Sequence, residues 1–179
     1  PAPCTLRSGR THDDLTLHGT PRRYDGFFRM GGLDLSHRRF DGDWSRRLNR
    51  EAFIAFDAAL VLPYDPASDR ILLVEQLRYG PIARGDPRPW VLEPIAGLVD
   101  AGEDPADAAR REAQEEAGLT LGDLQPMARV YASPGYSTEF FHCYLAVTDL
   151  SDVTEGVGGL ASENEDIYRH VLPFERALS

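Results

Sequence analysis

The stretch Gly97-Leu-Val-Asp-Ala-Gly-Glu103-Asp-Pro-Ala-Asp-Ala-Ala-Arg-Arg111-Glu112-Ala-Gln-Glu115-Glu116-Ala-Gly118-Leu119 decides the fold. Asp104-Pro105 predicts a helix start, because an Asp N-cap accepts from the first free N–H groups and Pro has none to lose at the first helical position. Gly118 predicts its end, as a glycine that can take the left-handed conformation after the last turn. Turned at about 100° per residue, this helix places Ala108, Ala109, Glu112, Ala113 and Glu116 on one face, with Glu115 at its edge. Asp107, Arg110 and Gln114 fall on the other side. An alanine face is a packing face, since small side chains let a helix approach a sheet closely. Glu112 and Glu116 lie in the middle of it, four residues apart and therefore adjacent. Like charges there repel, and burial raises the cost of each, so protons, arginines or metal ions must compensate. Carboxylates alone are hard oxygen ligands, which suits Mg²⁺ or Mn²⁺ and not zinc. The five histidines add no HxxH or HxxxH spacing. The competing reading is a solvated acidic stripe with Arg110 and Arg111 beside it.

Outward from the helix the pattern is mostly strand. Glu51–Tyr64 (EAFIAFDAALVLPY) reads as one long apolar strand, Asp65–Asp69 as a turn and Arg70–Arg78 (RILLVEQLR) as the return strand. Pro81–Pro89 reads as a Pro/Gly-rich loop and Trp90–Ile95 as a further strand. After the helix come strands near Met127–Ala132, Phe140–Val147 and Ile167–Leu172, a long acidic loop over 149–166, and a last short helix from Pro173. Upstream, residues 1–14 read as a polar arm, and 15–50 as a small β-domain with strands at Phe27–Met30 and Leu33–Leu35. Residues 51–179 form the main domain. Mixed strands around a well-marked helix favour an α/β or α+β sandwich.

Composition limits the functions available. The chain of 179 residues has a net charge of −10, and all 19 basic residues are Arg. That balance argues against non-specific binding to nucleic acid or membrane. No apolar run approaches the roughly 20 residues that span a bilayer, and no charged-then-apolar leader opens the numbered chain. Cys4 and Cys143 form neither a framework nor a CxxC pair, and the simplest compartment is a reducing cytoplasm. A phosphate-bearing substrate would need positive charge supplied locally, by placed Arg or by bound metal.

Gly97, then Glu103 after five intervening residues, and after seven more the run Arg111-Glu112-Ala113-Gln114-Glu115-Glu116-Ala117-Gly118-Leu119 resemble the Nudix box, G-x5-E-x7-R-E-U-x-E-E-x-G-U. Only Ala113 departs mildly, being small where a bulkier aliphatic is common. The resemblance implies an α/β/α sandwich with a mixed sheet and a metal-dependent hydrolase. It implies Glu112 and Glu116 as metal ligands with Glu115 contributing, the Ala96 carbonyl as a further ligand, and Arg111 orienting Glu103 through a bidentate pair. Gly97, Glu103 and Gly118 are the structural members of the motif.

Outside the box, Ser133-Pro134-Gly135-Tyr136-Ser137-Thr138-Glu139 is similar to the ADP-ribose pyrophosphatase branch, with Pro134 fifteen positions after Leu119. Asn49–Phe53, Leu62–Pro66, Val74–Arg78 and Trp90–Gly97 fit the same branch, which includes tellurite-resistance members. By that resemblance Arg50 and Arg78 contact the diphosphate or ribose, Glu139 the terminal ribose, and Ser133 the substrate through its hydroxyl or backbone. Ser162-Glu163-Asn164-Glu165 resembles a mobile loop that delivers Glu163 as general base and Glu165 as a late metal ligand. The implied reaction takes ADP-ribose to AMP and ribose 5-phosphate with two or three Mg²⁺. A homodimer is implied too, in which the N-terminal sheet carries Tyr24, Phe27 and Phe28 as candidate stacking residues. Another nucleoside diphosphate sugar such as GDP-mannose is the rival substrate, and a catalytically silent sensor the rival class.

Overall fold

The structure, a computed structural model, describes residues 8–160 and 165–178. The chain forms two compact units, residues 1–57 with 129–140 and residues 58–128 with 141–179. Among the described residues no helix is long and apolar enough to cross a membrane.

The first unit holds β1 (Leu15–Gly19), β2 (Arg22–Asp25), β3 (Arg29–His37) and β4 (Leu48–Ile54) in one antiparallel sheet. β3 is its spine. β4 runs along one edge, while the other is shared by β2, opposite Arg29–Gly31, and β1, opposite Asp34–His37. The two expected strands at 27–30 and 33–35 are thus one strand. Phe27 and Phe28 precede it in a turn, where the Phe28 ring packs 4.9 Å from that of Phe53. The expected polar arm is ordered at its end: Thr11 caps a short 3₁₀ turn, His12–Asp14.

The single long strand expected over 51–64 is two strands, β4 and β5 (Asp57–Asp65), which lie in different sheets. Ala55 and Phe56 break the run. The Ala55 N–H donates to the Thr138 hydroxyl and the Ala55 carbonyl accepts from it, both at 2.9 Å. Phe53 N–H donates to the Tyr136 carbonyl, and Thr138 N–H donates to the Phe53 carbonyl. With its backbone groups satisfied by a later segment, the chain can leave one sheet there without orphaned donors.

The second unit holds most of an eight-stranded sheet in the order β11-β12-β6-β5-β10-β9, with β7 added to β6 and β8 to β5; β9 beyond Ala128 and Phe140 of β10 group with the first unit. Its elements are β6 (Arg70–Leu77), α1 (Tyr79–Arg84), β7 (Trp90–Glu93), β8 (Ile95–Leu98), α2 (Pro105–Ala117), β9 (Leu124–Tyr131), β10 (Phe140–Val147), β11 (Gly156–Gly158), β12 (Ile167–Pro173) and α3 (Phe174–Ala177). The expected strand over 90–95 splits at Pro94, which has no N–H for a ladder, and its halves pair with different neighbours. The Pro/Gly loop at 81–89 instead begins inside α1, which Gly85 ends in the left-handed region. The acidic loop over 149–166 contains β11, paired with β12.

α2 has the boundaries its caps predict. The Asp104 side chain accepts from Ala106 N–H at 2.8 Å, and Gly118 at φ 67° donates back to Gln114. Ala108, Ala109, Ala113 and Ala117 pack into a core with Ala59, Val61, Leu72, Val74 and Ile95 of the sheet. Closeness is the structural theme. A Cβ on Gly158 would fall 2.2 Å from the Glu116 carbonyl oxygen, so β11 passes α2 with room for glycine only.

Gly158→Ala should therefore push β11 off the end of α2 and destabilise the protein by about 1–3 kcal/mol, the range for overpacking. Urea unfolding measures this. A loss below ~0.5 kcal/mol would mean that the strand yields freely there.

Candidate active site

The buried face of α2 carries the chemistry. Glu112 and Glu116 are 9% and 2% exposed, in line with the buried alanines. The solvated-stripe alternative fails for these two, although Glu115, at the edge, is only partly buried. What admits Glu112 is Gly97 on β8. A Cβ there would lie 1.9 Å from a Glu112 carboxylate oxygen, so the carboxylate occupies the volume a side chain would need.

One guanidinium organises the acidic groups. Arg111 donates to Glu103 through Nε at 3.0 Å and Nη2 at 3.2 Å, a bidentate pair. Its Nη1 donates to Glu112 at 2.7 Å and to Glu115 at 3.1 Å, and its Nη2 also reaches the Leu98 carbonyl. Glu103 is further fixed by the Asp100 N–H. These bonds hold the Glu103 carboxyl below its ordinary range. Glu112 is pushed up by burial, a rise that Arg111 opposes.

Glu116 receives no bond from Arg111. Its Oε2 is buried and has no hydrogen-bond partner among the described residues. Burial first, then the charges of Glu112 and Glu165, push its carboxyl up to about 8, against a weaker pull from an Ala96 backbone hydrogen bond and from Arg78. Glu165 precedes β12, and its carboxylate accepts from Leu160 N–H at 2.9 Å. Its charge is also among those that raise Glu112. Among the described residues no three acidic, His or Cys side chains yet converge as a metal cage. The donor chemistry nonetheless fits a hard divalent cation. An orphaned carboxylate oxygen beside a second buried carboxylate presents oxygen ligands.

Arg78 lies at the end of β6 and is held by Glu93 of β7: Nε donates at 2.9 and 3.1 Å and Nη2 at 2.7 Å. The sequence reading did not include Glu93. The register of β6 and β7, which sequence does not give, is what sets Glu93 and Arg78 on one sheet face. Arg50, Ser133 and Glu139 belong to the first unit. Arg50 is exposed on β4 and donates to the Asn49 carbonyl. Ser133 and Glu139 bracket one turn, in which the Ser133 carbonyl accepts from Tyr136 and Ser137, and Ala132 N–H donates to the Glu139 carbonyl. Glu163 lies outside the described residues.

A family model described as the NUDIX domain matches residues 55–178. The ADP-ribose pyrophosphatase of Haemophilus influenzae is 39% identical over 169 residues, covering 93% of this chain and 77% of that protein. The GDP-mannose pyrophosphatase of Escherichia coli (strain SMS-3-5) is 31% identical over 154 residues, covering 86% of this chain and 78% of its own length. A solved structure titled as an ADP compounds hydrolase superposes with a TM-score of 0.68 at 20% identity, over 95% of this chain and 84% of that one. The arrangement of box helix, cradle glycine and arginine hub is that of a Nudix protein, and this chain belongs to the Nudix family.

In chelator-treated protein, Glu116 keeps its proton up to about pH 8, whereas the unfolded chain releases it near 4.5. The folded state therefore binds an extra proton across that window, and stability should fall as pH rises from 4.5 to 8, then level off. Glu112 adds to the same slope. Glu116→Gln should be more stable than wild type at pH 8 without metal, with a flatter profile by thermal unfolding. A wild-type stability that rises across the window would contradict the uncompensated burial of Glu116.

Proposed function

We propose that this Nudix protein hydrolyses the diphosphate bond of ADP-ribose to AMP and ribose 5-phosphate, using Mg²⁺. The observation that carries the reaction class is the buried Glu112/Glu116 pair with one carboxylate oxygen left unpartnered. The relatives support the substrate, since the ADP-ribose pyrophosphatase is 39% identical and the GDP-mannose pyrophosphatase 31%.

Glu112, Glu116 and Glu165, with the Ala96 carbonyl, are the residues that would hold the ions. Charge supports a number. Among the described residues, Glu93, Glu103, Glu112, Glu115, Glu116 and Glu165 are paired with or charge-coupled to Arg78 and Arg111, a balance of six carboxylates to two guanidiniums that leaves four negative charges when all are ionised, the charge of two divalent ions. A third ion would match a bound diphosphate. When bound, the ions supply positive charge that offsets the diphosphate's and stabilises what builds on the leaving phosphate. Arg111 holds Glu112 and Glu115 at fixed angles and keeps Glu103 ionised. Arg78 and Arg50 contact the diphosphate or ribose, Glu139 the terminal ribose, and Ser133 the substrate. Glu163 takes the proton from the attacking water, which enters in line with the leaving oxygen. Gly156 and Gly159, both at positive φ, hold the backbone before Glu163 in conformations that favour glycine. The chain works as a homodimer through its N-terminal sheet, which sedimentation would detect.

Mixing the protein with ADP-ribose in Mg²⁺, and again in excess chelator, should release AMP in the first case only. No AMP in either, with turnover of GDP-mannose, would transfer the reading to that substrate, and a blank panel would favour a sensor. Glu163→Gln should bind substrate yet lose about 10²–10⁴-fold in kcat. Near-normal turnover would assign the base elsewhere. Glu112→Gln combined with Glu116→Gln should abolish activity at millimolar Mg²⁺, and retained activity would refute the role of the α2 face.

A further inference from the structure

The Arg78–Glu93 pair has a geometry that a surface ion pair does not need. In the register of β6 and β7, Glu93 stands opposite Val74, four residues before Arg78. Directly paired residues share a face, and so do residues two and four apart along a strand. Val74, Gln76, Arg78 and Glu93 therefore line one face of the sheet. It is the face toward α2, since Val74 packs in the core with the α2 alanines. Arg78 begins at the far end of β6, where its N–H donates to the Pro89 carbonyl at 2.9 Å. To meet Glu93 with Nε and Nη2, its side chain must fold back along the strand, past Gln76, toward the carboxylates of α2. It arrives within electrostatic reach of Glu116 and Glu165. Glu93 occupies the Nε/Nη2 edge of the guanidinium, so Nη1 is the atom available to a ligand.

Gln76 adds a second donor. Its side-chain nitrogen is buried and has no partner among the described residues. A buried, unsatisfied N–H₂ is costly, and an acceptor-rich ligand removes that cost.

We propose that Glu93 is a positioning residue, which folds Arg78 back along β6 so that Arg78 Nη1 and the Gln76 amide face the diphosphate oxygens of the substrate opposite the α2 carboxylates. This rests on the hydrolase reading above. Without Glu93, Arg78 remains charged but swings free, so binding suffers more than chemistry.

A double-mutant cycle on the full chain, with ADP-ribose and Mg²⁺, tests this. Glu93→Ala should lower kcat/KM about 10–100-fold, mostly through KM. Arg78→Ala should do the same, and the double variant should be no worse than Arg78→Ala alone. Glu93→Gln, which keeps one acceptor for the guanidinium, should recover part of the loss, and it serves as the folded variant if the alanine form aggregates. Gln76→Met should raise KM while leaving the melting temperature unchanged or higher. Multiplicative losses in the cycle, or kinetic constants within twofold of wild type beside a lowered melting temperature, would make the pair a structural tie and overturn the proposal. Wild-type protein that turns over neither ADP-ribose nor GDP-mannose would defeat the hydrolase reading itself, a result separable from failure of the cycle.

Discussion

The repulsion between two carboxylates buried on one helix face is the constraint around which the second unit is arranged. Glu112 and Glu116 stand one turn apart on α2, in the row that should be wholly apolar. A buried pair of like charges is unstable alone, and the protein compensates it unequally. Arg111 answers Glu112 and leaves Glu116 with a raised pKa and an orphaned oxygen. The inequality matters chemically. Had arginine neutralised both, the helix would be stable and inert. The partial compensation keeps one strong demand for a cation.

Placing those carboxylates against a sheet requires that nothing else occupy the space. The alanines of α2 bring the helix close to β8, and Gly97 leaves the volume Glu112 fills. Gly158 does the same for β11 at the helix C-terminal end. These small residues contribute little apolar burial of their own, on the order of one methyl per alanine. Their effect is geometric: each missing side chain is a distance the catalytic backbone can close. The box glycines and alanines are thus coupled to the glutamates by packing, and a larger residue at either place would displace charge rather than merely strain a core.

The α2 region was legible in sequence because its determinants are local. Asp104, Pro105 and Gly118 act within one turn of the helix ends, and the 3.6-residue period assigns Glu112 and Glu116 to the alanine face without knowledge of the partner sheet. The Glu103–Arg111 pairing also came through, as a property of the resembling motif. The break at Ala55-Phe56 was not legible. An unbroken apolar run reads as one strand, and what divides it is Thr138, 83 residues away. Nor did the local pattern reveal that Tyr136–Thr138 bond the end of β4, or that Pro94 separates strands with different partners. Each miss is a long-range hydrogen-bond choice, made by residues whose own propensities allow either outcome. Glu93 escaped for a related reason: its partner is set by register between strands, not by spacing along one.

Arg78 and Arg111 of the second unit solve the same problem by the same means. An acidic protein that handles a phosphate compound must bring positive charge close without letting it collapse onto the nearest carboxylate. A lysine ammonium would pair with one oxygen and rotate about it. A guanidinium presents separate edges, so one edge can be fixed while another stays available. Arg111 gives Nε and Nη2 to Glu103 and turns Nη1 to Glu112 and Glu115. Arg78 gives Nε and Nη2 to Glu93 and keeps Nη1 clear of that pair. In both, the anchoring glutamate lies off the buried α2 face and fixes one edge of the guanidinium. The chain's negative charge and its use of phosphate chemistry are therefore compatible: several of the acidic residues near the site fix the direction of the positive ones.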